Sequence, residues 1–190
     1  MGKVIVSLTM SLDGFVAGAN ITPELPMGEG GERLHDWMFD KKTEADDQIS
    51  SDRMKNSGAV ILGNGMYADG VAGPWGGVNP FGLPAFVLAH QVPAKVPDGF
   101  TIVTDGIESA FKQAKVAAGN KDIWIAGGAD VVQQYLKAGL VDELQISIAP
   151  VLFGTGTRLF DHIGTKHIEL QNTLNLQTPQ ATHLRFNVVK

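Results

Sequence analysis

The chain of 190 residues contains no cysteine. This absence excludes disulfide bonds and thiolate metal sites, and it fits a reducing compartment. The sequence also has no apolar run near the roughly 18 residues of a membrane span, and its first residues lack the apolar core of a signal peptide. We therefore expect a cytoplasmic protein with no membrane partner.

Clustered positive charge is also missing. The 15 lysine and arginine residues and the 20 acidic residues give a formal net charge of -5, and both signs are spread along the chain. Nucleic-acid binders carry a basic patch, so we expect no nucleic-acid partner. The five histidines show no metal-binding spacing, and no GxSxG motif occurs. We expect neither a metal site nor a serine hydrolase of the α/β type.

Short β-rich runs alternate with helical patterns, which predicts an α/β fold. With 44% hydrophobic residues, the chain can build one core, and we expect a single domain over residues 1–190. The predicted strands are Val4–Thr9, Ala59–Leu62, Ala85–Ala89, Thr101–Thr104, Ile123–Ala126, Glu143–Ala149, His167–Asn172 and His183–Val189. The predicted helices are Glu44–Lys55, Ile107–Ala118 and Ala129–Lys137, and the predicted long loops are Ala19–Gly31 and Asp69–Pro84. Helices are absent near the end of the chain, where we expect an antiparallel strand or hairpin.

Two glycine-bearing turns follow predicted strands. Gly127 and Gly128 separate an apolar strand from a helix that begins near Ala129, and residues 63–66 (GNGM) follow another strand. Free backbone N–H groups at such a helix start attract phosphate, and ligands of open α/β sheets bind at the carboxyl ends of the strands. A tight strand-to-helix corner without a ligand would need the same glycines, so both interpretations stay open.

Several motifs occur together in a specific order. They are SLDG at residues 11–14, LG at 62–63 with Tyr67, IAGG at 125–128, LVDEL at 140–144 and APVLFG at 149–154. In this order and spacing the chain resembles the dihydrofolate reductase-like family. Within it, the chain is most similar to the reductase domain at the C-terminus of the bifunctional riboflavin-biosynthesis deaminase-reductase. The resemblance runs from about residue 3 to residue 189.

The resemblance implies a three-layer fold, in which helices flank a mixed, mostly parallel sheet with an antiparallel C-terminal strand or hairpin. It implies NADPH as the hydride donor, with NADH as an alternative, and a pterin-like or pyrimidine-type heterocycle as the substrate. The implied cofactor-binding residues are Gly63, Asn64, Gly65, Met66, Leu88, Ala89, His90, Ala126, Gly127, Gly128, Ala129, Asp130 and Val131. The implied substrate-binding residues are Thr9, Ser11, Leu12, Asp13 and Trp37.

The chain departs from this family at positions that contact ligands in its relatives. Asn64 and Met66 stand where relatives usually carry Arg and Thr, and loss of a charge-assisted bond to phosphate leaves the coenzyme preference open. His90 or Lys95 could restore a positive charge for NADPH, whereas Asp105 would suit the ribose of NADH. In addition, Ser7 and Ala126 replace the lysine and glutamate of the riboflavin-pathway reductases.

Two carboxylates are candidates for catalysis. Asp36 lies beside Trp37, and an aromatic neighbour can desolvate a carboxyl group and raise its pKa. An exposed acidic residue in the first turn of a helix would look the same in the sequence. Asp13 is the second candidate, although Asp-Gly is also a common turn dipeptide. Trp75, in the glycine-rich loop, is either a lid over a ligand or a hydrophobic plug.

Two functional hypotheses follow from these residues. The first is a nicotinamide-dependent reductase that passes hydride to a planar heterocycle. The second is a non-catalytic protein that retains the fold and binds a nucleotide, flavin or pterin. Leu144, Ile146 and Ile148 alternate with polar residues, and relatives are often dimers, so we expect a homodimer joined through this apolar strand face.

Overall fold

An eight-stranded sheet forms the centre of the computed structural model, which describes residues 2–190. The strands are β1 (Val4–Ser11), β2 (Phe15–Ala17), β3 (Ser57–Gly63), β4 (Ala85–Leu88), β5 (Phe100–Val103), β6 (Asp122–Gly127), β7 (Glu143–Ala149), β8 (Thr157–Arg158), β9 (Leu170–Gln177) and β10 (Thr182–Val188). The α-helices are α1 (Glu44–Asn56), α2 (Asn64–Ala72), α3 (Ile107–Ala118) and α4 (Ala129–Lys137), and Gly31–His35 form a 3-10 helix.

The sheet has the strand order β5-β4-β3-β6-β1-β7-β10-β9, and β2 pairs with β8 in a separate ribbon. From β5 to β7 all neighbours are parallel, whereas β10 runs antiparallel between β7 and β9. The predicted α/β class and the antiparallel C-terminal hairpin are therefore confirmed. Since β6 returns between β1 and β3, the strand order reverses there, which is where open α/β sheets bind ligands.

Helices cover both faces and produce three layers. On one face, α3 packs three alanines and α4 packs Val131, Val132 and Tyr135 against Val4 and Val6 of the sheet. This interface is the larger of the two apolar clusters of the sheet. The other face carries α1 and α2, and its apolar part is a cluster that joins Tyr67 of α2 to Val60 and Leu62.

Two local expectations were wrong, and one open alternative is decided. The segment Asp69–Pro84 was expected to be a loop, but α2 extends through its first residues to Ala72. The ninth strand is Leu170–Gln177 rather than His167–Asn172. Trp75 packs edge-on against Phe81, with ring centroids 5.5 Å apart, and stacks at 6.1 Å on Phe100. Because these contacts fill the cluster under the loop, Trp75 is a hydrophobic plug and not a lid.

The apolar face of β7 is covered within one chain. Leu144 and Ile146 are only 3% and 4% exposed because they lie in the core cluster on the α3 and α4 face. The argument that this face is free to meet a second subunit is therefore wrong, and the homodimer stays a prediction. Within residues 2–190, no helix is both long and apolar enough to cross a membrane.

Candidate functional site

The strands β1 and β6 stop pairing before their carboxyl ends, and we call the space between these two ends the cleft. The two strands pair only from Val4 with Ile123 to Val6 with Ile125, whereas β1 stays paired with β7 as far as Ser11. Beyond Val6, therefore, β1 continues without β6 beside it. The indole Nε1 of Trp124 donates a 2.9 Å hydrogen bond to the Ser7 carbonyl oxygen, which lies where the ladder ends.

The two glycine turns lie next to each other on the other side of this cleft. β3 and β6 are neighbours in the sheet, and α2 and α4 begin directly after them. A Cβ atom built on Gly63 would lie 2.9 Å from Val131 Cγ2 and 3.7 Å from the Gly128 nitrogen. A side chain on Gly63 would meet Val131, so the two glycine turns lie against each other.

Both helix starts are open to a ligand. Gly63 caps α2 and Gly128 caps α4, and neither helix has a side chain that accepts from its first N–H groups. Space is free within 4 Å of the positions where Cβ atoms would stand on Gly65 and Gly128. Gly127 has φ +126°, a conformation that L-residues with side chains rarely adopt, and its peptide bond to Gly128 is cis. Two sets of backbone donors with positive helix-dipole ends therefore face the same space.

The remaining predicted cofactor residues divide by exposure. Ala126, Ala129 and Val131 are buried, so they can offer only backbone to a ligand. Asn64, Asp130 and His90 are exposed, whereas Met66, Leu88 and Ala89 are partly buried. The Asp130 carboxylate accepts a 2.7 Å hydrogen bond from Gln134 Nε2. Since β4 lies beside β3, the residues 88–90 at its end belong to the same edge of the sheet as the glycine turns.

Asp13 holds the turn after β1 in place. Its carboxylate accepts hydrogen bonds from Ser11 Oγ at 2.6 Å, Gly154 N at 2.8 Å and Phe153 N at 3.1 Å. The Ser11 hydroxyl, followed by the two backbone N–H groups, lowers the pKa of Asp13 to about 2. The acid is therefore ionised at neutral pH and joins the β1 end to the loop after β7. Leu12, which follows Ser11, is 64% exposed at this edge.

The expectation that Trp37 raises the pKa of Asp36 was wrong. The Asp36 carboxylate is 2.7 Å from Lys41 Nζ and 2.9 Å from Arg33 Nη1. The hydrogen bond from Lys41 and the charge of Arg33 lower the pKa of Asp36. Trp37 instead points to the sheet, where its Nε1 donates a 3.0 Å hydrogen bond to Thr9 Oγ1. The structure thus brings together Thr9 and Trp37, two of the predicted substrate-binding residues.

Sequence reasoning missed a buried polar cluster behind Trp37. His183 of β10 lies edge-on to the Trp37 ring at 4.8 Å, and its Nδ1 is 2.8 Å from Ser147 Oγ. Its Nε2 is 2.8 Å from Asp46 Oδ1 of α1. Burial raises the pKa of Asp46, but hydrogen bonds from Thr43 and His183 outweigh this effect and lower it. The carboxylate that is deeply buried is therefore that of Asp46, which pairs with His183, and not that of Asp36.

One signal for Asp46 was present in the sequence. Thr43 and Asp46 form a capping box at the start of α1, in which the Asp46 carboxylate accepts from the Thr43 backbone N–H. The pattern of Ser or Thr followed three residues later by an acidic residue predicts such a helix start. It does not predict that the second oxygen of Asp46 meets a histidine from the opposite end of the chain.

Arg53 of α1 reaches the same face of the sheet. Its guanidinium donates a 3.2 Å hydrogen bond to Ser7 Oγ and lies 4.6 Å from the centre of the Trp124 ring. A positive charge therefore meets β1 at Ser7. In residues 2–190, no group of three or more His, Asp or Glu side chains could hold a metal ion.

Comparison with known proteins shows the family and the fold of the chain. The family model for the RibD C-terminal domain matches residues 2–185. The uncharacterized protein YwjB of Bacillus subtilis (strain 168) is 28% identical over 186 residues, which are 97% of each chain.

Two solved structures show the same fold. The crystal structure of a putative riboflavin biosynthesis protein from Shewanella sp. PV-4 matches with a TM-score of 0.78 at 20% identity, over 99% of both chains. A diaminohydroxyphosphoribosylaminopyrimidine deaminase/5-amino-6-(5-phosphoribosylamino)uracil reductase from Thermotoga maritima matches with a TM-score of 0.66 at 12% identity. That match covers 99% of this chain and 57% of the bifunctional one. The fold is dihydrofolate reductase-like, and the chain belongs to the RibD C-terminal domain family.

Proposed function

We propose that this protein is a reductase that uses NADPH to reduce a pyrimidine-type or pterin-like heterocycle. The observation that carries the proposal is the pair of touching glycine turns, each at the open start of a helix, beside the cleft between β1 and β6. The family supports the assignment, and the Thermotoga maritima neighbour is named as a reductase of 5-amino-6-(5-phosphoribosylamino)uracil.

The residues of the cleft fit a dinucleotide. The first N–H groups of α2 and α4 would bind the pyrophosphate, and the open space at Gly65 and Gly128 lets it approach the backbone. His90 and Asp105 are exposed just beyond the ends of β4 and β5, where the adenosine of a bound dinucleotide would lie. When bound, NADPH supplies the hydride; the protein supplies position and excludes water.

On the proposed substrate side, buried side chains hold the end of β1 in place from behind. Trp37 is 1% exposed, and both its hydrogen bond to Thr9 and its contact with His183 fix the ring. Asp13 fixes the turn at the end of β1. The lowered pKa values of Asp13 and Asp36 keep both carboxylates ionised at neutral pH. We therefore assign both carboxylates to positioning, because neither holds a proton that could accompany the hydride.

A second candidate function rests on the same carboxylates. Because neither predicted acid holds a proton, and because Ser7 and Ala126 replace the charged residues of relatives, the fold could bind a nucleotide, flavin or pterin without turnover. Such a protein would keep the two helix starts and the cleft. It would lack only the chemical step.

The test is the oxidation of NADPH in the presence of pyrimidine and pterin substrates. The first substrate to use is 5-amino-6-(5-phosphoribosylamino)uracil, followed by its form without phosphate and by dihydropterins. We expect steady consumption of NADPH with one of them, and loss of that activity in Gly128→Val, whose side chain enters the open space. Binding of NADPH without its oxidation by any substrate would favour the non-catalytic protein.

A further inference from the structure

A cavity of about 400 Å³ lies at the opposite end of the sheet from the glycine turns. Its walls come from the amino ends of the parallel strands, from the last turns of α1 and from β10. The lining residues used below are Lys3, Arg53, Asp122, Glu143 and Arg185. A volume of this size is in the range of small-molecule sites.

Two arginines in this wall have a donor without an acceptor. Among residues 2–190, only two buried side-chain nitrogen or oxygen atoms make no hydrogen bond, and they are Arg53 Nε and Arg185 Nε. Both arginines line this one cavity. A buried donor left without a partner is costly, so each such group in a folded protein calls for an explanation.

The carboxylates around the cavity do not supply the missing acceptors. Glu143 accepts from Lys3 Nζ at 2.6 Å and from Gln145 Nε2 at 2.7 Å, and its Oε1 is 3.4 Å from Arg185 Nε without forming a hydrogen bond. Asp122 accepts from the backbone N–H of Lys3 at 2.7 Å. Asp52, the third carboxylate of the lining, accepts from Gln48 Nε2 at 2.5 Å, so the three carboxylates leave Arg53 Nε and Arg185 Nε without an acceptor.

Arg53 also lacks an acidic partner. In the described part of the chain, none of the ion pairs includes it. Burial lowers the pKa of Arg53 to about 10, which leaves it charged at neutral pH. A buried cation without a counterion is unfavourable unless another group compensates it.

We propose that this cavity binds a small oxyanion, the phosphate or carboxylate group of a metabolite, between Arg53 and Arg185. A guanidinium binds such groups through parallel hydrogen bonds, and an oxyanion would supply both the missing acceptors and the missing charge. The cavity lies at the amino ends of the strands, so its ligand is not the cofactor of the cleft. The bound anion would connect α1 to the start of β1 and to β10, and it would bind independently of the coenzyme.

The experiment is a titration of the full chain with inorganic phosphate, and in parallel with succinate, at constant ionic strength in chloride. The readout is the Nε–H resonances of the arginines in a ¹H–¹⁵N spectrum, together with calorimetric binding. We expect a saturable shift of the Arg53 and Arg185 resonances with at least one anion. Arg185→Met and Arg53→Met should each weaken binding by about tenfold or more, because each removes charge-assisted hydrogen bonds.

Matched variants separate this cavity from the cleft and from general charge effects. Lys137→Met removes an exposed charge on α4 and Gly128→Val blocks the cleft; neither should change anion affinity by more than about twofold. The spectrum of each variant reports whether it is folded. If neither anion shifts the two Nε–H resonances, or if Arg185→Met binds as tightly as the parent chain, water fills the cavity and the proposal is wrong. The outcome is independent of reductase activity.

Discussion

Replacement of Gly63 by alanine tests whether the two glycine turns touch. Gly63 has φ -88° and ψ 158°, which alanine adopts without strain, so the substitution costs little in the backbone itself. Its new Cβ atom would stand 2.9 Å from Val131 Cγ2, in a region where Val131 is 3% exposed. Overpacking of this kind costs about 1–3 kcal/mol. For a chain of this size we expect a fall in melting temperature of roughly 2–12 °C.

A double-mutant cycle identifies the contact as the cause. Val131→Ala removes Cγ2, at a cost of about 1–3 kcal/mol for the buried volume. In the double variant, Gly63→Ala no longer overpacks, so the two costs should fall short of additivity by about 1 kcal/mol or more in urea unfolding. Gly128→Ala is the control, because its Cβ meets no atom within 4 Å. Additive costs, or a Gly128→Ala variant as unstable as Gly63→Ala, would refute the packing of one turn on the other.

Three further outcomes follow from contacts around the cleft. His183→Ala removes the imidazole that lies 2.8 Å from the buried Asp46 carboxylate, so urea unfolding should show a loss of about 1–3 kcal/mol; a loss below about 0.5 kcal/mol would contradict a stabilising hydrogen bond between these two side chains. Asp13→Asn should lower the melting temperature at pH 7 but not at pH about 2. A carboxyl group with a lowered pKa stabilises the fold above its ordinary pKa of about 3.9, and this stabilisation is lost as the pH falls toward about 2. An equal difference in melting temperature at both pH values would exclude this linkage. His90→Ala should weaken NADPH more than NADH, and Asp105→Asn should do the reverse, in calorimetric titrations; equal effects on the two coenzymes would remove both residues from coenzyme selection.

Much of the fold could be predicted because periodicity and local propensity agree. The ranges of α3 and α4 were predicted to the residue, since their apolar positions repeat at helical spacing. The helix α2 was missed because the sequence NGMYADGVA holds two glycines and leads into a glycine-rich segment. The helix α2 is stabilised by the packing of Tyr67 and Trp75 in the apolar cluster, and no local sequence pattern contains this information.

The site was predictable at its glycines and not at its buried charges. Gly127 and Gly128 carry a local signal, because a strand and a helix meet there. The sequence analysis did not identify Asp46 as the buried carboxylate, because α1 has almost no apolar stripe to show which side faces the sheet and because the partner of Asp46 is His183, 137 residues away. Arg53 was missed for the same reason.

The most direct test of the proposed nicotinamide-dependent function is the melting temperature of the purified protein with saturating NADPH, measured beside NADH. At 100 times the dissociation constant, binding adds about 2.7 kcal/mol to the free energy of unfolding. That corresponds to a rise of roughly 5–11 °C for this chain, and the rise should disappear in Gly128→Val. If neither coenzyme changes the melting temperature of the parent protein, the proposed nicotinamide-dependent function is wrong.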